Sequence, residues 1–177
     1  WEENFGPTDF SFDRGDVHYV CINNCFFHRG MSYYSPGELR ERQVKWLKQN
    51  LALTPKDKKV VLCYHIPFTF GNAPFSKAKP LTNANEEGHY SSSRLSLLLS
   101  LLKPFKGGYE LFCGHTHFAC NHEINYEGED VMEHCHAAAC GNIWQSNINI
   151  CGTPNGYYVY SFVGTSISNC YYKGTFW

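Results

Sequence analysis

The sequence predicts an α/β fold in which a parallel layer is followed by antiparallel β structure, and three observations carry that prediction. Between Val17 and Cys113, apolar runs of β-forming residues alternate with segments of helical period. Beyond His117 the texture changes to short alternating segments punctuated by glycine. Histidines also stand directly after two of the apolar runs, in Cys63-Tyr64-His65-Ile66-Pro67 and Cys113-Gly114-His115-Thr116-His117. Open α/β sheets place ligands just past the carboxyl ends of their strands, so these imidazoles are expected to meet in one crevice.

The elements follow in order. Val17 to Asn23 reads as a strand, entered through the polar turn Asp13-Arg14-Gly15-Asp16. Ser35-Pro36-Gly37-Glu38 has the pattern of a capping box with proline at the first helical position. Leu39, Val44, Trp46, Leu47, Leu51 and Leu53 then recur at roughly helical spacing, so this helix should cover one face of the sheet. Lys59 to Tyr64 is the next strand, Phe68 to His89 a long loop, Ser92 to Leu102 a helix ended near Pro104, and Tyr109 to Cys113 a third strand. Strand, helix, strand, helix, strand argues right-handed crossovers in a parallel layer.

Farther on, Glu123 to Tyr126, Val131 to His136, Tyr157 to Phe162 and Ile167 to Tyr172 read as antiparallel strands, the last two as a hairpin about Val163-Gly164-Thr165-Ser166. A domain boundary is expected near Gly141, giving residues 1–140 and a β-rich segment, 141–177, that includes Trp144.

Composition narrows the function. The chain has 177 residues, of which 43% are hydrophobic and 18% charged, and a net charge of −1, which excludes a bulk nucleic-acid binder and a disordered tail. The longest apolar stretch, Leu95 to Leu102, is interrupted by Ser96 and Ser100 and is too short to span a bilayer, so no membrane segment is expected. The chain opens on Trp1-Glu2-Glu3 without a leader pattern and reads as part of something longer. Its nine cysteines cannot all pair internally, and with no C-x-x-C spacing they do not signal a closed zinc module. Cys21, Cys63 and Cys113 fall inside apolar runs and read as small buried hydrophobes.

His65, His115 and His117 are the candidate metal ligands. In an extended backbone, residues i and i+2 point to one side about 6.5 Å apart, and hydrolytic metal pairs lie about 3.5–4 Å apart, so His115 and His117 can bracket such a pair. Gly114 would let the chain turn sharply there, and Pro67 would stiffen it after His65. The other histidines read differently. His134 and His136 spell a second H-x-H within an alternating strand whose Val131, Glu133 and Cys135 take the opposite face, so they are expected to pack or face solvent. His122 is a candidate neighbour of the site, and His18 and His28 read as structural.

Tyr64-His65-Ile66-Pro67 and Gly114-His115-Thr116-His117, separated by a helix and a strand, resemble the last two metal motifs of the calcineurin-like metallophosphoesterases. Gly6-Pro7-Thr8, Ser11-Phe12, the Gln43 to Leu47 helix, Gly152-Thr153-Pro154-Asn155-Gly156-Tyr157 and Tyr171-Tyr172-Lys173-Gly174 resemble a bacterial branch with a β-rich C-terminal domain. The resemblance implies the C-terminal part of a metallophosphoesterase α/β sandwich, followed by the start of that β-rich domain. It implies a phosphoesterase with a dinuclear centre of iron, manganese or zinc, in which His65 and His115 bind one ion and His117 the other. A phosphorylated small molecule or other ester would be the substrate, and by analogy the protein would be exported.

The family's D-x-H, G-D-x-x-D and G-N-H-D/E motifs are absent. The isolated chain is therefore expected to bind metal weakly, with the missing ligands and the general acid supplied by upstream sequence. Asp16-Val17-His18 spells D-x-H but precedes a strand, so it reads as a turn, and Gly71-Asn72-Ala73 lacks the histidine of G-N-H. Asn72, Asn85 and His89 lie in the long loop, where a specificity loop could sit. The alternative reading is a non-catalytic fragment or descendant that binds a phosphorylated or carbohydrate ligand.

Overall fold

The computed structural model describes residues 2–27, 34–36, 39–69, 92–140, 147–149 and 151–175. A short helix α1 (Glu2–Phe5) leads into strands β1 (Phe10–Arg14), β2 (Val17–Cys21), β3 (Cys25–Phe27) and β4 (Tyr34–Pro36), then helix α2 (Glu41–Leu53). Strand β5 (Lys59–Cys63), helix α3 (Ser92–Leu102) and strands β6 (Tyr109–Cys113), β7 (Cys120–Tyr126), β8 (Glu129–Cys135), β9 (Gly156–Val163) and β10 (Ser166–Gly174) complete the chain.

Six strands form one mixed sheet in the order β1-β2-β5-β6-β8-β7. Strands β2, β5, β6 and β8 run parallel, while β1 and β7 close the edges antiparallel. The expected parallel layer is present, and β8 extends it: the segment read only as antiparallel pairs with β7 on one side and lies parallel to β6 on the other. Central β5 is apolar and buried along nearly its whole length, as a strand covered on both faces must be.

One face carries the helices. Val44, Leu47 and Leu51 of α2 and Leu95, Leu98, Leu99 and Leu102 of α3 join Val20, Leu62, Leu111, Ile124 and Val131 of the sheet in one core. Leu53, counted in the helical stripe, is instead 87% exposed, because it lies two residues beyond Leu51 and so on nearly the opposite side of the helix. The helix also starts later than the Ser35 capping box. Tyr34–Pro36 pairs with Cys25–Phe27, and the start is set by Gln43, whose Oε1 accepts from Arg40 N at 2.8 Å while its Nε2 donates to Asp9 and Asn23.

The opposite face is covered by the β9–β10 hairpin. Tyr160 stacks on Phe112 at 4.6 Å between ring centroids, Tyr158 tilts against His136, and Phe162 meets Tyr19 edge-on. Gly156 admits the close pairing at the base of the hairpin, since a Cβ there would fall 2.2 Å from the Lys173 carbonyl oxygen. Residues 141–146, where the domain boundary was placed, and the Phe70 to His89 part of the long loop, with Asn72, Asn85 and His89, lie outside the described residues, as does His28. No disulfide joins the cysteines, and no described helix is long and apolar enough to cross a membrane.

Asp16-Val17-His18 is a hairpin entry, as its position before a strand implied. Asp13 and Arg14 belong to β1, so the turn is confined to Gly15-Asp16. His18 is buried, with Nδ1 2.5 Å from Asp13 and Nε2 2.9 Å from Asn50.

Candidate functional site

Two parallel neighbours, β5 and β6, release the two histidine segments at the same end of the sheet. Tyr64 N donates to Phe112 O and Gly114 N donates to His65 O, each at 3.0 Å, so the departing chains are joined before they diverge. His65 Nε2 thereby comes within 3.2 Å of His115 Nδ1, with the rings 79° apart.

Two buried polar side chains hold this arrangement from behind. Asn24 Oδ1 accepts from the backbone N–H groups of His65 and Ile66 at 3.1 and 3.0 Å, and its Nδ2 donates to Ile66 O at 2.7 Å. Glu133, fully buried on β8, accepts from Tyr64 Oη at 2.5 Å, from Phe68 N at 2.7 Å, and from both the backbone and the hydroxyl of Thr69. Burial, then the charge of Glu133, push the Tyr64 phenol well up, which keeps it a donor. An apolar face of a strand rarely carries an unpaired glutamate, so Glu133 among Val131 and Cys135 was a readable signal. Asn24 gave no comparable sign.

Backbone geometry corrects one sequence expectation. His115 and His117 do not sit in extended chain: their φ angles are 70° and 64°, in the left-handed region. Gly114, credited with the sharp turn, has no positive φ, so the histidines themselves carry the strain, roughly 1–2 kcal/mol each. Non-glycine residues held this way cluster at functional sites, where surrounding structure imposes them. Part of that support is Cys135, whose Sγ donates to Gly114 O at 2.9 Å and lies 3.0 Å from Thr116 Oγ1.

Electrostatics ties the third imidazole to the pair. Burial, then the charge of His117, hold His65 below the ordinary imidazole value of 6.5, and burial with the charges of His65 and His117 does the same to His115. Lowered proton affinity favours the neutral rings, with lone pairs available to a metal. Two nitrogens on one tetrahedral zinc, each about 2.0–2.1 Å from it, stand about 3.3 Å apart, and the His65 to His115 separation fits that edge. The fit stops at two donors: among the described residues, no group of three or more His, Cys, Asp or Glu side chains is arranged to hold a metal ion.

Beside His65 opens a cleft of about 490 Å³ walled by Phe112, His136, Tyr157, Tyr158 and Tyr160. The second H-x-H belongs to this packing. His134 pairs with Asn121 at 2.8 Å and Glu110 at 3.5 Å, and His136 lies 2.7 Å from Tyr160 Oη. His122 is buried on β7 beside Cys120.

No curated protein matches the chain. Residues 133–176 match the family model described as the C terminal of calcineurin-like phosphoesterase, a span that begins at Glu133 and takes in the hairpin walling the cleft. The similarity to the calcineurin-like phosphoesterases is thus carried by this segment, which resembles their C-terminal domain.

Proposed function

We propose that the chain is the C-terminal part of a metal-dependent phosphoesterase, with His65 and His115 ligating one ion of a dinuclear centre and His117 the other. The observation supporting this most is the 3.2 Å approach of two imidazole nitrogens beyond the carboxyl ends of adjacent parallel strands. Ions held there would supply a hydroxide at neutral pH and neutralise charge on the phosphoryl oxygens. The chain's own residues prepare that chemistry. His65 and His115 present neutral nitrogens, Asn24 and Glu133 fix the backbone that carries His65, and the aromatic cleft receives the organic part of the ester. Further carboxylate ligands are required, since the described residues bring only these imidazoles together.

A second reading, a non-catalytic binder of a phosphorylated or carbohydrate ligand, is favoured by the same cleft, whose stacked tyrosines suit a planar or sugar group. Turnover of an aryl phosphate by the full-length protein, with and without added manganese or zinc, separates the two. The proposal expects metal-dependent hydrolysis that disappears in His65→Ala and His117→Ala. Unchanged turnover in both variants would eliminate the ligand assignment, and ligand binding without hydrolysis would establish the second reading.

A further inference from the structure

Cysteines line up across three strands directly behind the H-x-H turn. Cys135 on β8 is the register partner of Cys113 on β6 and of Cys120 on β7. Its Sγ donates to Gly114 O at 2.9 Å. Directly opposed residues of an antiparallel pair have Cα atoms about 4.5–5.5 Å apart, within the range a disulfide spans.

The two sides of Cys135 differ. Cys113 is 5% exposed, whereas Cys120 is half-buried and, with Cys135, lines a separate cavity of about 420 Å³ under the C-terminal hairpin. His122 Nε2 lies 3.3 Å from Cys120 Sγ, and its Nδ1 is buried with no hydrogen-bond partner among the described residues. Among the described residues, the Cys120 thiol is the hydrogen-bonding contact of that ring. Cys21 and Cys63 are also opposed, across β2 and β5, but no described histidine contacts either thiol.

We infer that Cys120 and Cys135 form a peroxide-reactive dithiol, with His122 as the base for Cys120. His122 Nε2 takes the Cys120 proton, and the thiolate attacks one oxygen of hydrogen peroxide. The O–O bond breaks, hydroxide leaves and takes a proton to become water, and Cys120 becomes a sulfenic acid. The Cys135 thiol then attacks the Cys120 sulfur, the S–O bond breaks and a second water leaves. Two thiols have been oxidised to a disulfide and one peroxide reduced to two waters. A disulfide sulfur carries no hydrogen, so the Cys135 to Gly114 hydrogen bond is lost by the chemistry itself, and the turn presenting His115 and His117 loses that support.

Peptide mapping of the full-length protein tests this. The reduced protein is treated with hydrogen peroxide, alkylated, and cleaved after glutamate and after Phe118, which places Cys113, Cys120 and Cys135 on separate peptides. A Cys120 to Cys135 cross-link reversed by dithiothreitol is expected, forming at least about tenfold more slowly in His122→Phe, the least a positioned base contributes being larger than that. The Thr116 amide, bonded to Gly114 O, should exchange faster with solvent in the oxidised protein. Cys120 and Cys135 both still alkylated while exposed Cys151 and Cys170 are oxidised, or Cys135 cross-linked to Cys113 instead, would overturn the assignment. Unchanged Thr116 exchange in the cross-linked protein would overturn its link to the turn.

Discussion

His115-Thr116-His117 and His134-Cys135-His136 spell the same pattern nineteen residues apart and live in opposite physical circumstances. The first pair sits past a strand end, with both histidines in left-handed backbone and one ring 3.2 Å from a third imidazole. The second follows the extended line of β8, where its rings pack on Phe112 and its nitrogens reach Asn121, Glu110 and Tyr160. An H-x-H spelling therefore says little about use. What distinguishes the two is whether the backbone is held in a conformation it would not otherwise choose and what the rings meet, another imidazole at His115 against amide, carboxylate and phenol groups at His134 and His136.

The largest expected effect falls on the residue linking the two motifs. Glu133→Ala, on the strand of the second pair, strips acceptors from Tyr64, Phe68 and Thr69 behind the first, and each abandoned buried donor costs about 1–3 kcal/mol. A loss of about 3 kcal/mol or more in urea unfolding is expected, with Glu133→Gln milder because it keeps one acceptor. A loss below about 1 kcal/mol would show that the segment after His65 does not depend on this carboxyl group.

Ligand replacement ranks next. Removing a neighbour of a metal ligand lowers metal affinity about 10–100-fold, so His115→Ala should lower it by about a hundredfold or more in the full-length protein, while His134→Ala leaves it nearly unchanged. Equal losses at the two positions, read by calorimetric metal titration, would erase the distinction between the pairs.

Glycine sharpens the comparison further. Glycine adopts positive φ freely, so His115→Gly or His117→Gly should raise unfolding stability by up to about 1 kcal/mol while lowering metal affinity as the alanine change does. The same change at His134, inside a strand, should lower stability by about 1 kcal/mol. Thermal melts showing both positions destabilised alike would contradict the strain assigned to the first pair.

The smallest effect is in pH. Burial, then the charge of His134, hold His136 below the ordinary value of 6.5. Between that lowered value and 6.5 the unfolded chain binds more protons than the folded one, so stability rises with pH across this window and is lost as pH falls through it. His136→Gln should flatten that part of the profile in urea midpoints. An unchanged slope would place the acid sensitivity elsewhere, with His65 and His115, which share its sign, the first to be examined.

Much of this was legible in the residues. The apolar runs and helical stripes gave α3 and β6 at their observed bounds, and the strand-end rule put His65 and His115 at one rim. The start of α2 was misread because Ser35-Pro36 matches a cap locally, whereas the real start depends on Gln43 reaching Asp9, a contact between segments far apart in sequence. The extended geometry assumed for His115 and His117 failed for a related reason. Left-handed backbone at histidine is imposed by tertiary support from residues such as Cys135, and no local spelling announces it. Asn24 was invisible because its importance lies in whose backbone it clamps.

Anomalous diffraction from crystals of the full-length protein grown with zinc tests the central claim most directly. The account predicts a zinc peak about 2.0–2.1 Å from both His65 Nε2 and His115 Nδ1. A map in which those nitrogens bond only to each other, with zinc bound elsewhere or at His134 and His136, would contradict it.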